Sequence, residues 1–172
     1  VPDVYMSGKN FNNAIFNGVD LSGKDLSSSK FQKASFHNAN LENVNLSEAT
    51  LIEVYFTKIK NKSLAGANLF DTSLAHSNLS GVNLSDTIII GTNFWKADLS
   101  GQDFTVISDT SADGIIFIEA NLSNSNFEGV NLSPKKVFSS VFENAPHLTN
   151  LSNMDLFKKL FGKKNGLLLS KE

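Results

Sequence analysis

Cysteine and arginine are absent from this 172-residue chain, tryptophan occurs once and proline three times. Without cysteine there is no disulfide scaffold, no thiolate metal site and no cysteine nucleophile. Without arginine, and with a formal net charge of −2, the chain lacks the dense cationic footprint that a nucleic-acid binder needs. No apolar run approaches the roughly 20 residues that span a bilayer. No signal-peptide pattern is visible, and the start at Val1 without Met leaves room for an upstream piece. A cytoplasmic single domain with a sizeable core is the expectation. What the chain has in quantity is phenylalanine, 14 residues against 2 Met and 2 Tyr, together with many Asn and Ser.

A large apolar residue recurs at every fifth position, from Phe11, Phe16, Leu21 and Leu26 through Phe31 and Phe36 to Leu51 and Phe56. After an eight-residue step the register resumes at Leu64 and runs to Phe104; after a thirteen-residue step it resumes at Phe117. Two positions before each anchor stands a small or β-branched residue, such as Ala34, Val44, Ala67, Ser77 or Ala97. One position before there is often Asn or Asp, as at Asp20, Asn45, Asn68, Asn93 and Asp98. Neither the 3.6-residue helical period nor the two-residue strand period fits. A chain that turns a corner every five residues does fit. Four such segments close one coil, and successive coils pair backbone to backbone at about 4.8 Å. The order of Phe and Leu repeats with that longer period, if each irregular step bulges without changing the face sequence. Face one then carries Phe11, Phe31, Leu51, Leu74, Phe94 and Phe117, and face two Phe16, Phe36, Phe56, Leu79, Leu99 and Leu122. Face three carries Leu21, Leu41, Leu64, Leu84, Phe104 and Phe127, and face four Leu26, Leu46, Leu69, Ile89 and Leu132. Like stacks on like, as solenoids require.

The units Ala39-Asn40-Leu41-Glu42-Asn43, Ala67-Asn68-Leu69-Phe70-Asp71, Ala97-Asp98-Leu99-Ser100-Gly101 and Ala120-Asn121-Leu122-Ser123-Asn124 match the A(D/N)LXX repeat, so the chain resembles the pentapeptide-repeat proteins. The resemblance covers about residues 9 to 133. It implies an all-β solenoid, a right-handed quadrilateral parallel β-helix of about six to seven coils, and it says almost nothing about function.

The expected organisation is a β-helix over 1–147, with bulges near 57–63 and 105–116, followed by a capping helix and loose tail over 148–172. Ser152-Asn153-Met154-Asp155 reads as a helix start. Met154, Phe157, Leu160 and Phe161 share one face of the short α-helix that follows, with Lys158 and Lys159 opposite. Docking on the last coil is the expected role; homodimerisation through this helix, as in some members of the resembled family, is the alternative. A membrane-surface role would need a longer apolar face.

On the outer surface, face three collects Asp20, Glu42, Asp86, Asp103 and Glu128 without a lysine. The resemblance implies a candidate role for such an acidic stripe, the mimicry of duplex DNA by family members that protect DNA gyrase. The charge is too sparse: duplex DNA carries one charge per roughly 1.7 Å of axis. An apolar set is the sharper anomaly. Ile52, Trp95 and Ile118 follow face-one anchors, while Phe70, Ile88 and Ile90 stand outward on face four, where the 105–116 insertion leaves the coil. Either that loop covers the face-four residues, or they form a partner-binding patch with Trp95 as anchor.

Catalytic chemistry is not in view. His37, His76 and His147 share no metal-ligand spacing, no histidine stands beside a nucleophile, and no phosphate loop occurs. No cofactor or metal is expected. The sequence reads as a non-enzymatic binding or scaffold protein that acts on a protein partner through its side surface. The alternatives are a DNA-mimicking modulator of a type II topoisomerase and a secreted bacterial effector module.

Overall fold

A computed structural model describes residues 5–107, 114–128 and 130. Within them the five-residue unit has one recurrent geometry, and each position has its reason. The anchor points inward and is buried: Phe31, Leu46, Leu69, Leu79 and Phe94 are all at 0% exposure. The next two residues make a turn, closed by the N–H of the following inward residue bonding the anchor carbonyl, as in Ala34 to Phe31 (2.9 Å) and Ala97 to Phe94 (2.9 Å). The second turn residue has a positive φ, from Gly18 (70°) and Gly91 (71°) to Lys33 (58°), Glu53 (59°) and Lys96 (54°). That is the signature of a type II turn, which favours Gly or Asn there. The Asn or Asp before most anchors explains itself as well. Its Oδ1 accepts the N–H of the first turn residue: Asn68 from Phe70 (3.0 Å), Asn93 from Trp95 (2.9 Å), Asp98 from Ser100 (3.0 Å). The side chain thereby fixes the entry to the corner.

The same pre-anchor residue pairs between coils. Parallel bridges join Asn10 to Lys30 and Lys30 to Thr50, then Thr50 to Ser73, Ser73 to Asn93 and Asn93 to Ile116. This is face one. Its steps are of equal length except from Thr50 to Ser73 and from Asn93 to Ile116, where the coil is lengthened by the bulge it passes. The other three faces have equivalent bridges, such as Tyr55 to Asn78, Ser63 to Asn83 and Asn45 to Asn68. The pairing differs from an ordinary sheet in that these are isolated bridges, one residue per side. With two of every five residues spent on a turn, no side is long enough for a continuous strand. Stacked aromatic pairs confirm the register inside: Phe11 on Phe31 and Phe16 on Phe36 (centroids 5.3 Å each), Phe94 on Phe117 (5.5 Å), and Phe104 on Phe127 (4.5 Å).

Both bulges begin alike. Phe56-Thr57-Lys58 and Phe104-Thr105-Val106 replace the normal corner with a single 3₁₀ turn, and the residue after each, Ile59 or Ile107, is buried. The ladder opens just before each bulge. Among the described residues Ser35 has no bridge to Tyr55, and Asn83 has none to Asp103, although each pair is one plain coil apart, as the bridged Ile15 and Ser35 are.

Buried hydroxyls reinforce the coils. Thr72 Oγ1 donates to the Leu46 carbonyl (2.7 Å) and Thr92 Oγ1 to the Leu69 carbonyl (2.7 Å), each the anchor of the previous coil. Among the described residues no buried side-chain polar atom lacks a partner. Substituting Thr92 with valine is expected to cost about 1–2 kcal/mol, since a neutral buried hydrogen bond is lost while the shape is kept. A denaturant titration of the variant checks this.

Candidate functional site

The backbone pairing places the first turn residues of face one in a column. The Lys33 N–H bonds the Ile52 carbonyl (3.0 Å), Glu53 bonds Ala75 (3.1 Å), His76 bonds Trp95 (2.9 Å) and Lys96 bonds Ile118 (3.0 Å). Ile52, Ala75, Trp95 and Ile118 therefore succeed one another along the rod. Trp95 is 39% exposed, whereas Ala75, an outward residue flanked by Ile52 and Trp95, is only 4% exposed. The adjoining column holds Lys33, Glu53, His76, Lys96 and Glu119. Lys33 pairs with Glu53 (3.5 Å), Lys96 with Glu119 (3.3 Å), the His76 ring meets the Trp95 ring edge-on (4.8 Å), and the Lys96 ammonium lies 4.7 Å from the Trp95 centroid. These exposed contacts contribute little each, about 0–1 kcal/mol. Their effect is positional: the indole is held between a ring edge and a cation, with part of its surface still open to solvent.

Phe70, Ile88 and Ile90 occupy face four. Phe70 and Ile88 are 40% and 37% exposed and Ile90 is half-buried. The carbonyls of Phe70 and Ile90 accept the N–H groups of Glu48 and Asp71, which puts the two residues in successive coils of one column. The apolar residues singled out by sequence thus fall on two adjacent faces with a corner between them. Residues 108–113, the part of the insertion expected to cover face four, lie outside the described residues. So do Met154, Phe157, Leu160 and Phe161, with the expected cap or dimer helix.

Sequence reading missed Tyr5, Val19 and Val106 and, more exposed than the last two, Tyr55 (68%) and Ile15 (74%), both pre-anchor residues of face two. For Tyr55 and Ile15 the signal was available: each stands where the repeat most often puts Asn, Asp or Ser.

Two acidic residues of face three help to build the fold itself. Asp20 and Asp103 are engaged in building their own corners, accepting the backbone N–H and hydroxyl of Ser22 (3.0 and 2.6 Å) and of Thr105 (2.9 and 2.6 Å). The hydrogen bonds from Ser22, with a smaller attraction to Lys60, hold the Asp20 carboxyl below its ordinary 3.8. Those from Ser27 do the same for Asp25. A depressed folded-state pKa gives stability that is present above the unfolded value and is lost as pH falls through the folded one. The Asp20→Asn/Asp25→Asn variant should therefore unfold less steeply than the parent once the pH drops below 3.8, a difference that circular dichroism during acid titration will read.

Among the described residues no three His, Asp or Glu side chains gather where they could hold a metal ion. None of the described helices is long and apolar enough to cross a membrane.

Comparison with known proteins agrees with the geometry. A family profile described as pentapeptide repeats matches eight copies, over residues 3–32, 25–57, 67–105 and 106–133. No curated protein matches the chain. Among solved structures, the fold is similar to that of HetL, a pentapeptide repeat protein involved in heterocyst differentiation regulation in the cyanobacterium Nostoc sp. strain PCC 7120. The TM-score is 0.53 at 18% identity, over 82% of this chain and 73% of that one. QnrB1, a plasmid-mediated fluoroquinolone resistance protein, aligns over 91% of this chain and 92% of its own with a TM-score of 0.38 and 16% identity. Rfr23 of the cyanobacterium Cyanothece 51142 aligns over 84% and 88%, at 0.30 and 16%.

Proposed function

Because this chain belongs to the pentapeptide-repeat family, we propose that it is a non-enzymatic binding or scaffold protein, coiled right-handedly about four sides, whose face-one surface engages a protein partner. One observation carries this reading. The single tryptophan stands outward in a column of aliphatic residues, held between His76 and Lys96, where the repeat elsewhere presents small polar residues such as Ser47, Ser80 and Ser100. Tryptophan on a flat, rigid surface is the side chain most enriched among residues that dominate binding energy. Ile52 and Ile118 extend the apolar strip one or two coils to either side, and the Lys33–Glu53 and Lys96–Glu119 pairs form its polar edge.

Trp95→Ala is the test, in affinity capture with the full chain. The expected outcome is a partner bound by the parent and lost by the variant, a weakening of about 30-fold for an anchor worth about 2 kcal/mol. The thermal midpoint should hardly move. Collapse of the fold in Trp95→Ala, or undiminished capture, would remove the proposal.

A further inference from the structure

The two openings in the ladder are geometrically equivalent but chemically opposite, and the difference points to a ligand. The opening before the first bulge is a cleft of about 520 Å³ lined by Lys33, His37, Glu53, Tyr55 and Lys58 over a floor that includes Ala34 and Phe36. The second is about 290 Å³, with Asn83, Ser85, Gln102, Asp103 and Val106 along it and no cation among its lining residues. In a regular coil the Phe36 N–H would bond the Tyr55 carbonyl and the Tyr55 N–H the Ala34 carbonyl. Neither bond is made, and neither N–H has a backbone partner among the described residues. The first cleft thus offers N–H donors at its floor and basic side chains at its rim. The placement of charge is selective. Residues 1–134 carry 14 acids against 8 lysines, yet two of those lysines, Lys33 and Lys58, line this one cleft. Tyr55, 68% exposed where the repeat puts a small polar residue, supplies a flat ring beside them.

We propose that this cleft binds a small organic anion: a flat ring that stacks on Tyr55, bearing a phosphate or carboxylate that Lys58 and Lys33 neutralise and that His37 can hydrogen-bond. The volume lies in the usual range for small-molecule sites, about 300–1,000 Å³. Glu53, already paired with Lys33 at 3.5 Å, limits the site to ligands of low charge. The second cleft, with Asp103 at the Tyr55 position, serves as the internal counter-example and should bind no anion.

Calorimetric titration of the full chain tests this with two probes, adenosine 5′-monophosphate for the phosphate and 1-naphthoate for the carboxylate. Saturable binding of at least one is expected, with Kd on the order of 10–100 μM for a ligand of this size. Adenosine and inorganic phosphate alone should bind at least tenfold more weakly than the nucleotide, if the nucleotide is the probe that binds. Lys58→Glu should weaken the active probe at least tenfold and Tyr55→Ala at least fivefold. Both side chains are exposed, so the fold is spared, and an unchanged circular dichroism melt confirms it. Lys9→Glu, a change of equal charge outside both the cleft and the Trp95 strip, should leave binding unaltered. The proposal is overturned if neither probe saturates, if inorganic phosphate binds as tightly as the nucleotide, or if Lys9→Glu weakens binding as much as Lys58→Glu.

Discussion

Phe94→Ala is expected to lower the unfolding free energy by about 3–5 kcal/mol, the usual cost of emptying a buried aromatic site. Phe94 is at 0% exposure and stacks on Phe117 at 5.5 Å. The cavity has little means of closing. The Phe94 N–H bonds the Ile116 carbonyl (2.8 Å), the Phe94 carbonyl closes its own corner through Ala97 (2.9 Å), and Asn93 is bridged to both Ser73 and Ile116. The backbone around the site is held on both sides by neighbouring coils and cannot slide inward without breaking the ladder. Because solenoid stability is a sum of repeat and nearest-neighbour terms, the loss should also split the transition, with coils on one side of residue 94 melting before those on the other. Hydrogen exchange read by mass spectrometry would show this. A variant as stable as the parent would mean that the Phe columns are not the core.

The second large effect is expected at Ser77. Its hydroxyl sits inside an opened corner, donating to the Leu51 carbonyl at 2.6 Å and accepting the Val54 N–H at 3.1 Å. In the neighbouring corners the corresponding N–H bonds the anchor carbonyl directly, as Ala49 bonds Leu46 at 3.0 Å. Ser77→Ala would leave a buried donor and a buried acceptor without partners, at about 1–3 kcal/mol each. A total loss of about 3 kcal/mol follows if the corner does not close, and much less if Val54 recovers the Leu51 carbonyl. Ala97 and Ala120 hold the equivalent positions one and two coils on, so an alanine there is sterically acceptable. The experiment is a urea titration of Ser77→Ala beside Ser100→Ala, whose side chain meets only Ser80 at the surface (3.0 Å) and whose loss should be within about 0.5 kcal/mol.

Most of the fold could be read from the sequence because its signal is periodic and redundant. Phe16 and Phe36 stack because four units separate them, one full coil, and the alignment of Leu51 with Leu74 rather than with an earlier residue follows from letting the bulge lengthen that coil. Less legible was why Asn or Asp precedes so many anchors. The spacing showed it, but its role as acceptor for the N–H two positions on is a matter of side-chain geometry. Positions such as Lys33, Glu53 and His76 give no sign of a positive φ, since the turn imposes that conformation on whatever residue stands there, at a cost of about 1–2 kcal/mol that the ladder and core offset. The candidate surface was half legible. Alternation put Ile52, Trp95 and Ile118 outside on one face and Phe70, Ile88 and Ile90 on the next. That Ala75 is covered, or that His76 and Lys96 flank the indole, depends on rotamers that no period encodes. The cleft at Tyr55 was invisible, because nothing in the spacing says that the ladder opens one position before a bulge.

Pairs of engineered cysteines, in a chain that has none of its own, test the register directly. Ser47 and Phe70 stand in one column because the first bulge lengthens the coil between them, whereas a strict four-unit repeat would place Ser47 beside Ala67. Oxidation of Ser47→Cys/Phe70→Cys should give an intrachain disulfide in high yield, and Ser47→Cys/Ala67→Cys, with position 67 turned into the core, should give none. A disulfide between 47 and 67 but not between 47 and 70 would contradict the coil register on which the faces, the Trp95 strip and the cleft all depend.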